Sequence, residues 1–132
     1  MNAQNTVKQF LENVFAGKME EALSMVHMNA KIIPSRVEEN HRNPLYGSYT
    51  GPDGMQNMFT TFSELLEPGD FNIEASFSEG VHVAMYGTLN HRSRHTNKNF
   101  ASDWALICQV KDEQIMFYHF YEDTAALEDA IN

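Results

Sequence analysis

The stretch QIMFYHFYED, residues 114–123, is apolar and aromatic almost throughout and then ends in a carboxylate. Its composition predicts the last strand of a sheet. Successive side chains of a strand point to opposite faces, so one face is expected to carry Ile115, Phe117, His119, Tyr121 and Asp123. A histidine, a phenol and an acid on an otherwise apolar wall are typical of a small-molecule site. We therefore expect this strand to form one wall of a ligand pocket.

Apolar residues occupy both faces of this strand and of the strand before it, residues 100–110, which is unusual in a small antiparallel sheet. Helices can cover only one of the two faces. The economical cover for the other face is a second copy of the chain. The pattern therefore predicts a homodimer with twofold symmetry.

The first half of the chain carries mainly helical patterns. The spacing of apolar residues and the positions of Gly and Pro predict, in order, a helix over 7–15, a shorter helix over 18–27, a strand over 30–33, a long loop over 35–50 and a third helix from 55 to 66. Four strands and a short terminal helix are predicted for the remainder. We expect one α+β domain over residues 1–132.

Charge and cysteine content exclude several classes of function. A net charge of −9 argues against binding to nucleic acid or to an anionic membrane surface, since both need a basic face. The basic run at residues 91–95 is interpreted as a solvated hairpin tip. Cys108 is the only cysteine and no apolar run reaches bilayer length, so we expect a soluble, cytoplasmic protein.

The order of elements resembles a known family. Two helices, a strand, a long loop, a helix and four strands, with GSYTG at residues 47–51 and YED at 121–123, are similar to the SnoaL-like, ketosteroid isomerase-related branch of the nuclear transport factor 2-like superfamily. The resemblance implies a cone-shaped fold, in which a curved mixed sheet wraps around the N-terminal helices. It also implies a concave apolar pocket and a convex face that pairs with another subunit.

The catalytic residues of ketosteroid isomerase do not carry over. The resemblance aligns its helix-one tyrosine with Phe10, its base aspartate with the neighbourhood of Pro34, and its second oxyanion acid with Ala105 or Leu106. Steroid isomerisation of that type needs a base and hydrogen-bond donors at these positions. It is therefore not expected of this chain.

Two other relatives match only near the end of the last strand. Limonene epoxide hydrolase has a Tyr-x-Asp that matches Tyr121 and Asp123, but its Arg and Asp on a middle strand have no counterpart in the uncharged residues 81–90. The SnoaL polyketide cyclase places an acid/base aspartate eight residues past the isoleucine that opens its last strand. Counting from Ile115 reaches Asp123.

The predicted site consists of three polar residues at the end of the last strand and an apolar lining. Asp123 is predicted either as a buried acid/base whose pKa is raised by desolvation or as the N-cap of the terminal helix. His119 and Tyr121 are predicted to assist it. The predicted lining of the pocket consists of large apolar and aromatic residues: Phe10, Val14, Tyr49, Phe59, Phe62, Trp104, Leu106 and Phe117. Asp103 has the opposite strand parity and is assigned to an edge or the dimer interface.

Two functions remain open. The first is an isomerase, hydratase or cyclase that uses acid/base chemistry on a small apolar organic substrate, without a metal or cofactor. The second is a noncatalytic ligand-binding or dimeric interaction module on the same fold. Apolar pocket walls carry little information about which molecule they hold, so the substrate is not defined by the sequence.

Overall fold

The computed structural model describes residues 2–132. Over this range the elements follow in the order α1 (Ala3–Phe15), α2 (Met19–Leu23), β1 (Val26–Pro34), β2 (Tyr49–Thr50), α3 (Gly51–Leu65), β3 (Leu66–Glu79), β4 (His82–Ser93), β5 (Asn99–Lys111), β6 (Gln114–Glu122) and α4 (Thr124–Ile131). None of these helices is long and apolar enough to cross a membrane.

All six strands form one mixed sheet, in the order β2-β1-β6-β5-β4-β3. β1 and β6 run parallel, and every other neighbouring pair is antiparallel. Helices α1 and α3 pack against one face, which we call the inner face. The predicted α+β fold, a curved sheet wrapped around N-terminal helices, is confirmed.

Alternating burial separates the two faces of the sheet. On β4 and β5 the inward side chains are buried and mostly apolar: Val83, Met85, Leu89, Trp104, Leu106 and Cys108. The helices contribute Val7, Phe10, Met55 and Met58 to the same core. The hydrophobic core therefore lies between the inner face and the helices, while the side chains of β4 and β5 on the opposite, outer face are exposed or half-buried.

A β-bulge in β6 decides which of its side chains point inward. Ile115 pairs with Val110 and Phe117 pairs with Gln109, so Met116 has no counterpart on β5. An extra residue reverses the alternation beyond it. Ile115 is buried on the inner face, but from Phe117 onward the odd-numbered side chains face outward. The prediction that Ile115 shares a face with Phe117, His119, Tyr121 and Asp123 is wrong for this reason.

The end of β6 continues directly into α4. Asp123 has extended backbone angles and is the N-cap of this helix, with its carboxylate accepting a hydrogen bond of 3.0 Å from the backbone N–H of Ala126. Its own N–H donates to the Ser102 hydroxyl. Of the two roles predicted for Asp123, the structure places its side chain in the capping role.

We expect Asp123→Ala to lower the free energy of unfolding by about 1 kcal/mol, because the first turn of α4 loses a side-chain acceptor. Asp123→Asn should be nearly neutral, since asparagine caps equally well. Chemical denaturation measures both values. Asp103→Ala, at an exposed acid on β5, serves as the control and should stay within about 0.5 kcal/mol. Equal losses in Asp123→Ala and Asp123→Asn would contradict the capping role.

Candidate functional site

A cavity of about 370 Å³ lies between the inner face of the sheet and helices α1 and α3. Its wall is mostly apolar and aromatic, and includes Leu11, Val14, Met58, Phe59, Phe71 and Phe120. The polar side chains that reach it are few: Gln56, Thr60, Ser63, His91, Tyr118 and Glu122. A concave apolar site with a small number of polar groups is the usual form of a small-molecule pocket.

Glu122 is the acid of this cavity. It is the last residue of β6, lies opposite Trp104 in the sheet register, and points inward because of the bulge at Met116. The carboxylate of Glu122 forms no hydrogen bond or ion pair with another of residues 2–132. Every fully buried side-chain oxygen in this range has a hydrogen-bond partner, so the carboxylate is not fully buried and is open to the cavity. Desolvation raises the pKa of Glu122 to about 7.

Tyr118 lies four residues before Glu122 on the same face of β6. Its ring is 2% exposed and meets the ring of Phe10 edge-on at 6.0 Å. The hydroxyl has no hydrogen-bond partner among residues 2–132. Because every fully buried side-chain oxygen in this range has a partner, the hydroxyl is not fully buried and is also open to the cavity. Burial is the largest cause that raises the pKa of the phenol, and the nearby Cys108 and Glu122 raise it further. Tyr118 is therefore a hydrogen-bond donor at neutral pH.

His91 lines the cavity from β4. It is 2% exposed, its Nδ1 accepts a 2.9 Å hydrogen bond from the N–H of Gly69, and its ring meets Phe62 edge-on at 5.4 Å. Burial lowers the pKa of His91, while the charge of Asp70 opposes this shift. The prediction that residues 91–95 form a solvated hairpin tip is therefore wrong for His91, which faces inward two residues before the end of β4.

A stack of aromatic rings supports one wall of the cavity: Phe15, Phe71 and Phe120 line it, and Trp104 belongs to the core behind them. Phe71 and Trp104 are nearly parallel, with centroids 4.6 Å apart, and Trp104 stacks on Phe120 at 5.5 Å. The ring of Phe15 also packs on Phe71, tilted by 31° with centroids 4.6 Å apart. The Trp104 indole N–H donates to the backbone oxygen of Thr88, which leaves its ring face for packing. These rings make the wall stiff and apolar.

The three predicted catalytic residues lie outside the cavity. Asp123 caps α4, and Tyr121 is 44% exposed on the outer face. His119 is also on the outer face, where its ring stacks on Tyr121 at 3.8 Å and its Nε2 lies 3.0 Å from the backbone oxygen of Ser35. The predicted placement of all three is wrong because the bulge at Met116 reverses the strand faces.

The predicted lining residues divide into three groups. Those on helices α1 and α3 line the cavity: Val14, Phe59 and Phe62. Three others belong to the buried core without reaching the cavity: Phe10, Trp104 and Leu106. The last two lie elsewhere, Phe117 on the outer face of β6 and Tyr49 in β2, where its hydroxyl donates to the Leu45 backbone oxygen. Helical spacing located lining residues better than strand parity did.

Sequence reasoning missed His91 and Glu122, but for different reasons. The alternation of Val83, Met85 and Leu89 along β4 continues to His91, so its inward direction could have been predicted from the pattern. Nothing in the sequence of β6 marks the bulge at Met116, because both faces of that strand are apolar. In the part of the chain that the structure describes, no three His, Cys, Asp or Glu residues are grouped so as to hold a metal ion.

Comparison with known proteins gives a family and a fold. Residues 7–118 match the family model of the SnoaL-like domain. The patulin synthesis protein F of Aspergillus clavatus is 31% identical over 84 residues, which cover 61% of this chain and 42% of the fungal protein. The match thus spans less than half the length of that relative.

Solved structures with low identity share the same architecture. An NTF2-like protein from Burkholderia xenovorans superimposes with a TM-score of 0.86 at 24% identity, over 98% of this chain and 95% of that one. A provisionally assigned SnoaL-like polyketide cyclase from Mesorhizobium loti gives 0.71 at 16% identity, over 92% and 99%. These similarities show an NTF2-like fold, and the family match establishes that the chain belongs to the SnoaL-like domain family.

Proposed function

We propose that this protein is an acid/base catalyst, an isomerase, hydratase or cyclase, that moves a proton on a small and largely apolar carbonyl compound. Glu122 is the proton-transferring group. The observation that carries the proposal is a carboxyl group with a pKa of about 7 that faces an apolar cavity and has no protein partner among the described residues.

The pKa of Glu122 suits a general acid/base. A group with a pKa near the working pH is present in both protonation states, so it can accept a proton in one step and return it in the next. An ordinary exposed glutamate, with a pKa of 4.5, would be a weak base and would hold almost no proton to return. The apolar wall around Glu122 thus raises its pKa into the range that suits a general acid/base.

Tyr118 supplies a second part of the chemistry. When a carboxylate removes a proton from the carbon next to a carbonyl, negative charge develops on the carbonyl oxygen. A hydrogen-bond donor in a cavity that excludes water stabilises this charge. The Tyr118 hydroxyl is such a donor, because its raised pKa keeps it protonated and it lies on the same face of β6 as Glu122. Protonated Glu122 then delivers the proton to another carbon.

Size and family support a small organic substrate. A volume of about 370 Å³ lies near the lower end of the range for ligand pockets and suits a molecule of one or two rings. One relative is named for the synthesis of patulin and another is provisionally assigned as a polyketide cyclase. Both names fit chemistry on small oxygenated carbon skeletons.

The second candidate function is ligand binding without catalysis. It is favoured by Pro34, which lies in the cavity wall near the position that the resemblance assigns to the base of ketosteroid isomerase. The two functions differ in their requirement for Glu122, since a binding protein needs the shape of the cavity but no proton transfer.

We also propose that a second copy of the chain covers the outer face of the sheet. Four large side chains are exposed there and form what we call the outer patch: Phe77, Tyr86, Ile107 and Tyr121. The rings of Phe77 and Tyr86 are stacked. Strand pairing joins the patch across four neighbouring strands, and a contiguous apolar surface of this kind usually marks an interface.

Glu122→Gln tests the catalytic proposal. With β-tetralone as the probe in deuterium oxide, the wild-type protein should accelerate exchange of the α-protons, and Glu122→Gln should lower that acceleration at least about 100-fold. The exchange is followed by proton NMR of the ketone. The wild-type rate should rise with pH through about 7, because the carboxylate is the form that accepts the proton.

Asp123→Asn is the matched control for this experiment, since it alters the adjacent acid that lies outside the cavity and preserves the helix cap. It should exchange β-tetralone at the wild-type rate. Binding of β-tetralone by the wild type without any exchange would replace catalysis by the binding function. Equal loss in Asp123→Asn and Glu122→Gln would contradict the assignment of Glu122.

Tyr86→Glu tests the proposed dimer. We expect sedimentation equilibrium to give twice the chain mass of 15.1 kDa for the wild type and the chain mass for Tyr86→Glu, because two charges would be buried at the twofold interface. Val37→Glu, at a residue that is 51% exposed in the loop before β2, should leave the dimer intact. A monomeric wild type would refute the proposal.

A further inference from the structure

We infer that His91 is a fixed hydrogen-bond donor which selects ligands carrying an oxygen acceptor at the end of the cavity remote from Glu122. The inference rests on the proposed function only in taking the cavity as a ligand site. It requires no turnover, because it concerns the recognition of the ligand and not the reaction.

The backbone of β3 fixes which nitrogen of His91 carries the proton. The pairing of β3 with β4 shifts between Glu67 and Asp70, and this irregularity brings the Gly69 N–H to within 2.9 Å of Nδ1. A backbone N–H can only donate, so Nδ1 is the acceptor and the proton of the neutral ring is on Nε2. A Cβ atom at position 69 would overlap the Asn90 backbone oxygen, so only glycine fits this approach.

His91 is neutral in this setting. Its ring is buried against Phe62, and desolvation lowers its pKa, with Asp70 acting in the opposite direction. No carboxylate of the described residues forms an ion pair or hydrogen bond with the ring. A neutral imidazole whose Nδ1 is occupied presents one N–H group and no free lone pair, so it can donate to a ligand but cannot take a proton from it.

The Nε2–H group is available to a ligand. Nε2 has no hydrogen-bond partner among residues 2–132. Every fully buried side-chain nitrogen in that range has a partner, so Nε2 is accessible from the cavity that His91 lines. A wholly apolar ligand would cover this donor and strip it of water without replacing the hydrogen bond. A ligand with an oxygen at this point would satisfy it. The donor therefore penalises hydrocarbons and favours oxygenated ligands.

The sheet register separates this donor from the acid. Glu122 pairs with Trp104, which pairs with Gly87, and His91 lies four residues further along β4. The separation along the unrolled sheet is about 13 Å in the strand direction and about 10 Å across two strands. The two polar points are thus at different ends of the site. The ligand class that matches them is an apolar ring system with one oxygen beside the reacting carbon and a second at the far end.

The test uses two probes of the same shape, β-acetylnaphthalene and β-isopropenylnaphthalene, which differ by an oxygen in place of a CH₂ group. Calorimetry should show that the wild type binds the ketone about tenfold more tightly. His91→Phe should abolish this preference, whereas Asp123→Asn, at an acid outside the cavity, should keep it. His91→Gln, whose amide can still donate, should retain part of it.

A second readout is measured on the wild-type protein, and a variant serves only to assign the His91 signals. Nitrogen NMR of histidine-labelled protein at neutral pH, with His91 assigned by its absence in His91→Gln, should show a protonated Nε2 and an unprotonated Nδ1. The opposite tautomer overturns the inference, as does equal binding of the two probes or a preference that survives in His91→Phe. Failure of proton exchange by Glu122, with these results intact, would refute the proposed catalysis and leave the role of His91 standing.

Discussion

The desolvation of the Glu122 carboxyl group, which faces the apolar cavity without a hydrogen bond or ion pair to another described residue, is the constraint on which the site depends. Its pKa rises from 4.5 in the unfolded chain to about 7 in the native protein, so the native state binds a proton more tightly between these values. The contribution of Glu122 to stability therefore falls by about 3 kcal/mol as the pH rises from about 4.5 to about 7, and is constant above this range. The same desolvation gives the acid the pKa that the proposed chemistry requires.

The bulge at Met116 places that carboxyl group. Without the extra residue, the alternation from Ile115 would turn Asp123 inward and Glu122 outward. With it, Glu122 faces the cavity together with Tyr118, and Asp123 is free to cap α4. A single unpaired residue in one strand thus directs one of two adjacent acids to the cavity and the other to the helix cap.

The sequence was sufficient for the fold and for part of the site. Helical spacing predicted the lining residues Val14, Phe59 and Phe62, because an α-helix keeps its period over many turns. Strand parity failed on β6, since a bulge depends on how neighbouring strands pair and both faces of β6 are apolar. The tautomer of His91 could not be predicted from the sequence either, because it depends on the backbone of a strand more than twenty residues away in the chain.

The titration of Glu122 tests the central claim most directly. The carboxyl carbon resonance of this residue can be followed against pH in glutamate-labelled protein, with Glu122→Gln for its assignment. We expect a midpoint near 7, and a clear shift of that midpoint when a ligand enters the cavity. A midpoint at the ordinary value of 4.5, unaffected by ligand, would show a solvated carboxylate and contradict the account.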